Sequence, residues 1–267
     1  MNINRHRQQI EMHSILTDKE WSTRHLYEED WIEGYWRSRD HPHRSFLVER
    51  ISKFFPNSVL EIGCACGPNL YHIAKKFPNA EVKGIDINPM AVQKGNGWFK
   101  EEGIFNVKLE VGSAQELKQF ADKSFDVVFT DAVLIYISPE DIKQVVKEML
   151  RIGRIIVLNE WHSFNKWLAL ILNTYYYIKL KSEEYFLSWQ RFRTPKCSFK
   201  PKSASLGLFV GHWVRDYRTL FEEFVPKEKV NITKLPKELW NDKGWQRWGA
   251  IIEVVKSPVS LGRLNNA

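Results

Sequence analysis

The chain has 267 residues, of which 43% are apolar and 27% are charged, so its composition is that of a folded globular protein and not of a disordered or collagen-like chain. Its three cysteines cannot all pair, which argues against a secreted disulfide scaffold. Residues 1–13 have no apolar stretch of the kind found in signal peptides, and no run reaches the roughly 18 apolar residues that span a bilayer. We therefore expect a cytoplasmic protein.

The net charge of +7 is unevenly distributed along the chain. The segment from Trp161 to Arg215 contains nine Lys and Arg but only two Glu. The net charge of this segment is therefore +7, which equals the net charge of the whole chain. The basic residues stand at positions 166, 179, 181, 191, 193, 196, 200, 202 and 215. This local charge favours an anionic partner, such as a charged metabolite, a membrane surface contacted peripherally, or nucleic acid. The alternative is a solvated basic loop.

Short apolar runs alternate with helical patterns between Val59 and Asn159. The predicted strands are Ser58–Ile62, Glu81–Asp86, Val107–Val111, Phe125–Thr130 and Arg154–Asn159. Their nearly continuous apolar character is typical of parallel strands that are covered on both faces. The pattern predicts an α/β fold with a doubly wound parallel sheet, in which ligands bind beyond the carboxyl ends of the strands.

The helical patterns have recognisable ends. Ser138 is predicted to cap a helix that ends at Gly153, just before the fifth strand. The helix after Asn88 is less regular, because Gly95 and Gly97 weaken its middle. Helices are also predicted from Asp18, from about Pro42 to Phe54 and over 212–224, and strands near 230–235 and 249–255.

These elements divide the chain into five regions. They are an N-terminal helical segment that forms part of a lid (1–55), a cofactor-binding core (56–160), an aromatic basic insertion that forms an acceptor lid (161–211), a helix and strands that complete the core (212–257), and a flexible tail (258–267).

The strongest motif is the stretch Val-Leu-Glu-Ile-Gly-Cys-Ala-Cys-Gly-Pro-Asn-Leu from Val59 to Leu70, which reads as a strand, a turn of small residues and a helix. Small residues let the backbone approach a ligand, and the helix amides face it. The glycine pattern of nicotinamide-binding loops is absent. Instead, Glu61 precedes the first glycine by two positions, where a carboxylate repels a pyrophosphate but suits a cationic amino-acid group. This favours a sulfonium nucleoside over a dinucleotide.

Asp86 ends the second strand, nineteen residues after Gly67, where its carboxylate can accept hydrogen bonds from both hydroxyls of a ribose. With Glu61 and the small-residue turn at these spacings, Val59 to Asn159 resembles the class I S-adenosylmethionine-dependent methyltransferases, and among them the group with a type-11-like methyltransferase domain. The resemblance implies a mostly parallel, seven-stranded Rossmann-like sheet with N-terminal helices and an inserted cap. It also implies a methyltransferase that uses S-adenosyl-L-methionine.

The resemblance also implies a cofactor site made of residues from four strand ends. The implied residues are Glu61, Gly63, Cys64 and Gly67 at the methionine end, Asp86 at the ribose with Ile87 beside the adenine, Ser113 and Ala114 after the third strand, and Thr130, Asp131 and Ala132 beside the transferable methyl group. Two positions depart from the family pattern. Ala65 replaces the middle glycine of the turn, and Ser113 stands where an aspartate is frequent.

Candidate catalytic groups are expected near the mouth of the site. Positioning can contribute roughly 7–11 kcal/mol to methyl transfer, and a general base roughly 10²–10⁴-fold. The candidate bases are Asp131, Glu160 and His162, with Tyr136 and His212 as further possibilities. No metal is expected, because two cysteines one residue apart without nearby ligands make a poor tetrahedral site.

Aromatic residues flank the core on both sides and predict a lid over the acceptor. Before the core they are Trp21, Tyr27, Trp31, Tyr35 and Trp36; after it they are Trp161, Trp167, Tyr175, Tyr176, Tyr177, Tyr185, Phe186, Trp189 and Phe192. Aromatic lids enclose apolar or ring-bearing acceptors and exclude water. The alternatives are packing of the cap on the core and a dimer seam.

The sequence therefore predicts a methyltransferase that acts on an oxygen or nitrogen of a small molecule, mainly by positioning in a closed pocket. One alternative is an RNA methyltransferase that uses the basic aromatic segment. Another is a non-catalytic, cofactor-binding partner subunit.

Overall fold

The computed structural model describes residues 18–26, 28, 30–138, 140–165, 208–209 and 212–256. The predictions for the two tails, for Tyr27, for Pro139 and for most of the aromatic lid (166–207) fall outside the described residues.

A single sheet of seven strands organises the core. The strands of the chain are β1 (Ser58–Ile62), β2 (Glu81–Asp86), β3 (Val107–Val111), β4 (Phe125–Asp131), β5 (Gly153–Trp161), β6 (Leu208–Phe209), β7 (His212–Trp213), β8 (Val230–Lys234) and β9 (Gly249–Val255). The large sheet has the order β3-β2-β1-β4-β5-β9-β8, and β6 pairs with β7 separately. In the large sheet, β9 runs antiparallel to the other six strands. The prediction of a doubly wound, mostly parallel seven-stranded sheet is confirmed.

Helices cover both faces of this sheet. They are α1 (Asp18–Thr23), α2 (Trp31–Arg37), α3 (Pro42–Ser52), α4 (Pro68–Lys76), α5 (Pro89–Glu101), α6 (Ile142–Ile152), α7 (Tyr217–Glu222) and α8 (Lys243–Trp248). Among the described residues, no helix combines the length and the apolar character needed to cross a membrane.

Neighbouring residues of each strand pack on opposite faces of the sheet, as the strand geometry requires. In β1, Val59 packs in the cluster that contains α3, α4 and α5, whereas Leu60 packs in the cluster that contains α6 and α7. Both residues are fully buried. The two-sided cover explains why these strands lack the alternation of a half-exposed sheet.

The helix predicted just after the insertion begins later than expected. His212–Trp213 forms a short strand, and the helix starts only at Tyr217. Between them, Arg215 is extended, because its N–H donates to the carbonyl of Trp161 (3.2 Å) and its carbonyl accepts from the N–H of Ser163 (2.9 Å). The first residues of the predicted helix are therefore extended, and Arg215 pairs through its backbone with the end of β5.

The two glycines that weaken the helical pattern of α5 stand in different surroundings. A Cβ at Gly95 would lie 2.5 Å from the carbonyl oxygen of Cys66, so Gly95 allows α5 to pack on the turn that follows β1. A Cβ at Gly97 would have nothing within 4 Å, and Gly97 is exposed. Close packing at Gly95 thus brings α5 against the small-residue turn.

This difference predicts opposite effects of the same substitution. Gly95→Ala should lower the free energy of unfolding by about 1–3 kcal/mol, because backbone must move to admit the methyl group. Gly97→Ala should raise it by up to about 1 kcal/mol, because alanine favours the helix. Urea unfolding of both variants measures the two effects, and equal shifts would contradict the packing argument.

Candidate functional site

A cavity of about 750 Å³, part of which is open to solvent, lies at the carboxyl ends of β1, β2, β3 and β4. Its lining residues are Asp18, Trp21, Trp31, Tyr35, Ile62, Gly63, Ala65, Asp86, Ile87, Gly112, Ser113, Ala114, Gln115, Asp131, Ala132, Val133, Tyr136 and Ile137. Seven of the predicted cofactor residues are among them, namely Gly63, Asp86, Ile87, Ser113, Ala114, Asp131 and Ala132. The structure thus brings together residues from four strand ends, where the sheet topology places ligands.

The turn after β1 is held in an unusual backbone conformation. Gly63, Ala65 and Gly67 all have positive φ, at 73°, 48° and 83°. A side chain at Gly63 would collide with Val133, since a Cβ would lie 2.4 Å from its Cγ2 atom. Ala65 adopts the left-handed region although it has a Cβ, which costs about 1–2 kcal/mol. Alternating left-handed residues turn the backbone tightly beside the cavity.

Asp86 ties this turn to the end of β2. Its Oδ2 accepts a hydrogen bond from the N–H of Ala65 (2.7 Å), and its Oδ1 accepts one from the N–H of Asn88 (2.8 Å). Burial raises the pKa of Asp86, and the two backbone hydrogen bonds oppose that rise. Each carboxylate oxygen has a second lone pair, so Asp86 can also accept hydroxyl groups from the cavity.

Glu61 lies behind the cavity wall and is buried. Its Oε1 accepts a hydrogen bond from Nδ2 of Asn69 (2.6 Å), while its Oε2 is buried with no hydrogen-bond partner among the described residues. Burial raises the pKa of Glu61 to about 8, against the effect of the Asn69 hydrogen bond. A buried carboxyl oxygen without a donor is unfavourable, so this atom is suited to receive a cationic group.

Asp131, at the end of β4, is the centre of a buried polar network. Its Oδ2 accepts from Nδ2 of Asn69 (3.0 Å) and Nη1 of Arg44 (3.3 Å), and lies 3.2 Å from Nε2 of His43. Its Oδ1 accepts from Nδ2 of Asn159 (2.7 Å). Burial alone would raise the pKa of Asp131, but His43 and Arg44 hold it below its usual range. Asp131 is therefore ionised and poorly suited to take a proton as a general base.

His43 connects the network to His41. Nδ1 of His41 accepts the backbone N–H of His43 at 3.4 Å. Nδ1 of His43 lies 2.6 Å from the same nitrogen, while Nε2 of His43 faces Asp131. Two residues of α3, His43 and Arg44, therefore contact the carboxylate.

Glu160 does not line the cavity, and the prediction of Glu160 as a base is revised. It is fully buried; its Oε1 accepts hydrogen bonds from the amides of Val133 and Leu134 (both 3.0 Å), and its Oε2 accepts from the amide of Ile135 (3.1 Å). Burial raises the pKa of Glu160 to about 7, and these hydrogen bonds oppose the rise. The carboxyl group thus holds the start of the 3₁₀ turn Leu134–Tyr136.

His162 is also placed away from the cavity. It is buried, and its Nδ1 accepts the N–H of Tyr217 (3.2 Å) at the first residue of α7. Burial lowers the pKa of His162 to about 4, which keeps the ring neutral. The structure therefore assigns His162 a role at a helix start and not in proton transfer.

Three predicted cofactor residues do not line the cavity; two of them take part in packing and one in a buried hydrogen bond. The Cys64 side chain points away from the cavity, since a Cβ on Gly84 would lie 2.6 Å from its Sγ. Thr130 is fully buried and donates from Oγ1 to Glu160 (2.7 Å). Gly67 leaves room for the Phe99 ring, which a Cβ would approach to 2.8 Å.

Sequence reasoning found the aromatic part of the lining but missed the polar network. Trp21, Trp31 and Tyr35 line the cavity, whereas Trp36 is buried in the core and stacks on Trp98 at 5.1 Å. Of the residues that contact Asp131, only Asn69 belongs to the motif from Val59 to Leu70. His43 and Arg44 stand on an ordinary helix pattern, which carries no signal for a partner 87 or 88 residues away.

The comparison with known families identifies a domain within the chain. Residues 59–154 match the family described as a methyltransferase domain. This match and the similarity to curated methyltransferases support a class I S-adenosylmethionine-dependent methyltransferase domain over these residues. The matched region includes the β1 turn, Asp86 and Asp131, which meet at the cavity.

Two of the proteins to which the chain is similar come from plants. Ajmaline N-methyltransferase of Rauvolfia serpentina is 30% identical over 112 residues, which are 40% of this chain and 37% of that protein. A probable chloroplastic tocopherol O-methyltransferase of Oryza sativa subsp. japonica is 31% identical over 40% of this chain and 30% of that protein. The match thus spans less than two fifths of either relative. A crystal structure of a protein from Pyrococcus horikoshii is 18% identical, with a TM-score of 0.48 over 82% of this chain and 90% of that chain.

The raised pKa of Glu61 predicts that binding of S-adenosylmethionine depends on pH. Near neutral pH the free carboxyl is mostly protonated, so it must release its proton to bind an ammonium group. Affinity should therefore tighten by up to about tenfold per unit as the pH rises from about 6 to 7.5. Calorimetry in buffers of different ionisation enthalpy should show this proton release.

Glu61→Gln is the control for this dependence. It removes the titrating group but keeps the side-chain size, so it should weaken binding and flatten the pH profile. A pH profile unchanged in Glu61→Gln would contradict the assignment of the proton to Glu61.

Proposed function

We propose that the protein transfers a methyl group from S-adenosylmethionine to an oxygen or nitrogen of a small-molecule acceptor, mainly by positioning both in the cavity. The observation that carries this proposal is the pair of acids on either side of the β1 turn. Glu61 has a buried oxygen without a partner, and Asp86 lines the cavity beside it. Together they match a ligand with a cationic amino group at one end and hydroxyl groups at the other.

The chain's own residues fit the donor in this arrangement. Glu61 would attract the ammonium group from behind the cavity wall, Asp86 would hold the ribose hydroxyls, and Ser113 with Ala114 would contact the adenine. When bound, the cofactor supplies an electrophilic methyl group on a sulfonium. The protein orients the acceptor against that group and keeps water away, and such placement is worth roughly 7–11 kcal/mol in well-oriented reactions.

The charge of the lining favours a neutral or cationic small acceptor. Among the described residues, the lining contains three carboxylates, those of Asp18, Asp86 and Asp131, and no Lys, Arg or His. Aromatic rings of Trp21 and Trp31 form much of the remaining wall. A polyanion would be repelled here, so this lining supports a small-molecule acceptor over RNA.

Substitution of Asp86 tests the donor site. Asp86→Ala should weaken S-adenosylmethionine binding at least tenfold, about 1.4 kcal/mol, because it removes a hydroxyl acceptor and frees the Ala65 turn. Asp126→Ala is the matched control. Asp126 also accepts a backbone N–H, that of Asn57 (2.9 Å), but lies near the amino end of β4. Calorimetry on both variants gives the comparison, and equal affinities would remove Asp86 from the site.

A screen for methyl transfer tests the activity as a whole. Wild-type protein, labelled methyl donor and a metabolite extract should give a labelled small molecule. Label recovered in RNA would favour the nucleic-acid alternative. Binding of the donor without transfer to any acceptor, together with a tight accessory subunit, would favour a non-catalytic partner.

A further inference from the structure

Two residues from distant parts of the chain form a hydrogen-bonded pair at the cavity. Tyr136 lines the cavity on the side of Asp131, and its hydroxyl lies 3.0 Å from Nε2 of His212. The ring centroid of His212 lies 4.7 Å from that of Trp161 and 5.1 Å from that of Tyr136. Tyr136 therefore brings this pair to the wall of the cavity.

The backbone that carries Tyr136 is fixed at both ends. Glu160 accepts the amides at the start of the 3₁₀ turn Leu134–Tyr136. Arg215 donates from its guanidinium to the carbonyl of Leu134 (2.5 Å) and to that of Ile137 at the other end. Glu160 and Arg215 are therefore positioning residues, and the Tyr136 hydroxyl is held on a rigid turn.

We infer that Tyr136 and His212 relay the proton that an acceptor hydroxyl loses during methyl transfer. With the proton of His212 on Nδ1, its Nε2 accepts the Tyr136 O–H. The phenolic oxygen then faces the acceptor with a free lone pair. As the acceptor oxygen bonds to the methyl carbon and the carbon–sulfur bond breaks, the acceptor proton passes to Tyr136 and the Tyr136 proton passes to His212.

This relay suits the surroundings of the pair. Burial raises the pKa of Tyr136, as do Tyr35 and Glu160, while Arg24 opposes them. A free phenolate is thus unfavourable, but the relay keeps the phenol neutral throughout. The charge that forms on His212 lies near the ring of Trp161, since the two ring centroids are 4.7 Å apart, and an aromatic ring at this distance can stabilise a cation.

The relay narrows the acceptor class, and this step rests on the proposed function. Aromatic amines lose their proton only after methylation and need no base before it. A hydroxyl group is a weak nucleophile until its proton is withdrawn. With the aromatic wall of Trp21, Trp31 and Tyr35, the pair points to a ring-bearing hydroxyl acceptor.

Matched oxygen and sulfur probes test the relay with the full-length protein. Label transfer from S-adenosylmethionine is measured to 2-naphthol and to 2-naphthalenethiol, which share a shape. At about pH 8 the thiol is already largely ionised and needs no base. Tyr136→Phe and His212→Gln should each lower kcat with 2-naphthol by about 10²-fold. With the thiol, kcat should stay within about threefold.

The controls separate proton transfer from positioning and from the donor site. Tyr71→Phe removes a phenol outside the cavity lining and should leave kcat with both probes unchanged. Equal losses with both probes, or no loss with 2-naphthol, would overturn the relay.

The wild-type result distinguishes the two proposals. Transfer to the thiol without transfer to 2-naphthol would overturn the hydroxyl relay and keep the methyltransferase activity. Calorimetric binding of S-adenosylmethionine with no transfer to either probe would overturn the acceptor class and the relay together. No binding of S-adenosylmethionine would contradict the proposed function itself.

Discussion

The hydrogen bond from the Ala65 N–H to Asp86 Oδ2 is the contact on which the cavity depends. It joins the turn after β1 to the end of β2, at 2.7 Å. A left-handed alanine costs about 1–2 kcal/mol, and a hydrogen bond to a charged group contributes roughly 1.5–3 kcal/mol, so the carboxylate offsets the strain. The other oxygen holds the N–H of Asn88 at the start of α5. The acid that would bind the ribose therefore also shapes the turn.

The polar network around Asp131 makes the N-terminal helices part of the site. A buried carboxylate needs charged and hydrogen-bonding partners, and removing one partner of such a pair is strongly destabilising. Arg44 and His43 come from α3, whereas Asn69 comes from α4. The same Asn69 amide group reaches Glu61 (2.6 Å). The two acids thus share a donor, and α3 supplies the positive charge that keeps one of them ionised.

Sequence patterns predicted the scaffold well because they reflect local physics. Runs of buried apolar residues gave the five parallel strands nearly to the residue, since both faces of each strand are covered. The turn after β1 and Asp86 followed from spacing, because parallel strand ends meet at one edge of the sheet. The partner of a buried polar group, however, depends on segments far apart in the chain. Glu160 stands at the expected edge, but its donors come from the turn after β4.

The charge of the cavity could not be predicted from the net charge of the chain either, because the lining comes from segments that are far apart in the sequence. The chain is basic overall, yet its described cavity lining has only carboxylates as charged groups. Of the nine basic residues between Trp161 and Arg215, eight lie outside the described residues. The ninth is Arg215, whose guanidinium donates a hydrogen bond to the Leu134–Tyr136 turn. Exposed charges act over only about 8 Å at physiological ionic strength. Among the described residues, the charged side chains that line the cavity are therefore carboxylates, although the net charge of the chain is positive.

The carboxylates at the cavity bear on the charge of the proposed donor. Asp86 and Asp131 line the cavity and Glu61 lies buried behind its wall, so all three would lie near a donor that is cationic at its sulfur before transfer and neutral there afterwards. Their attraction for that sulfur would therefore be greater before the reaction than after it. Since the partners of Asp131 keep it ionised and the pKa of Glu61 lies near 8, this electrostatic difference would grow as the pH rises through that value. The buried acids would thus link the charge of the donor and the pH through one electrostatic cause.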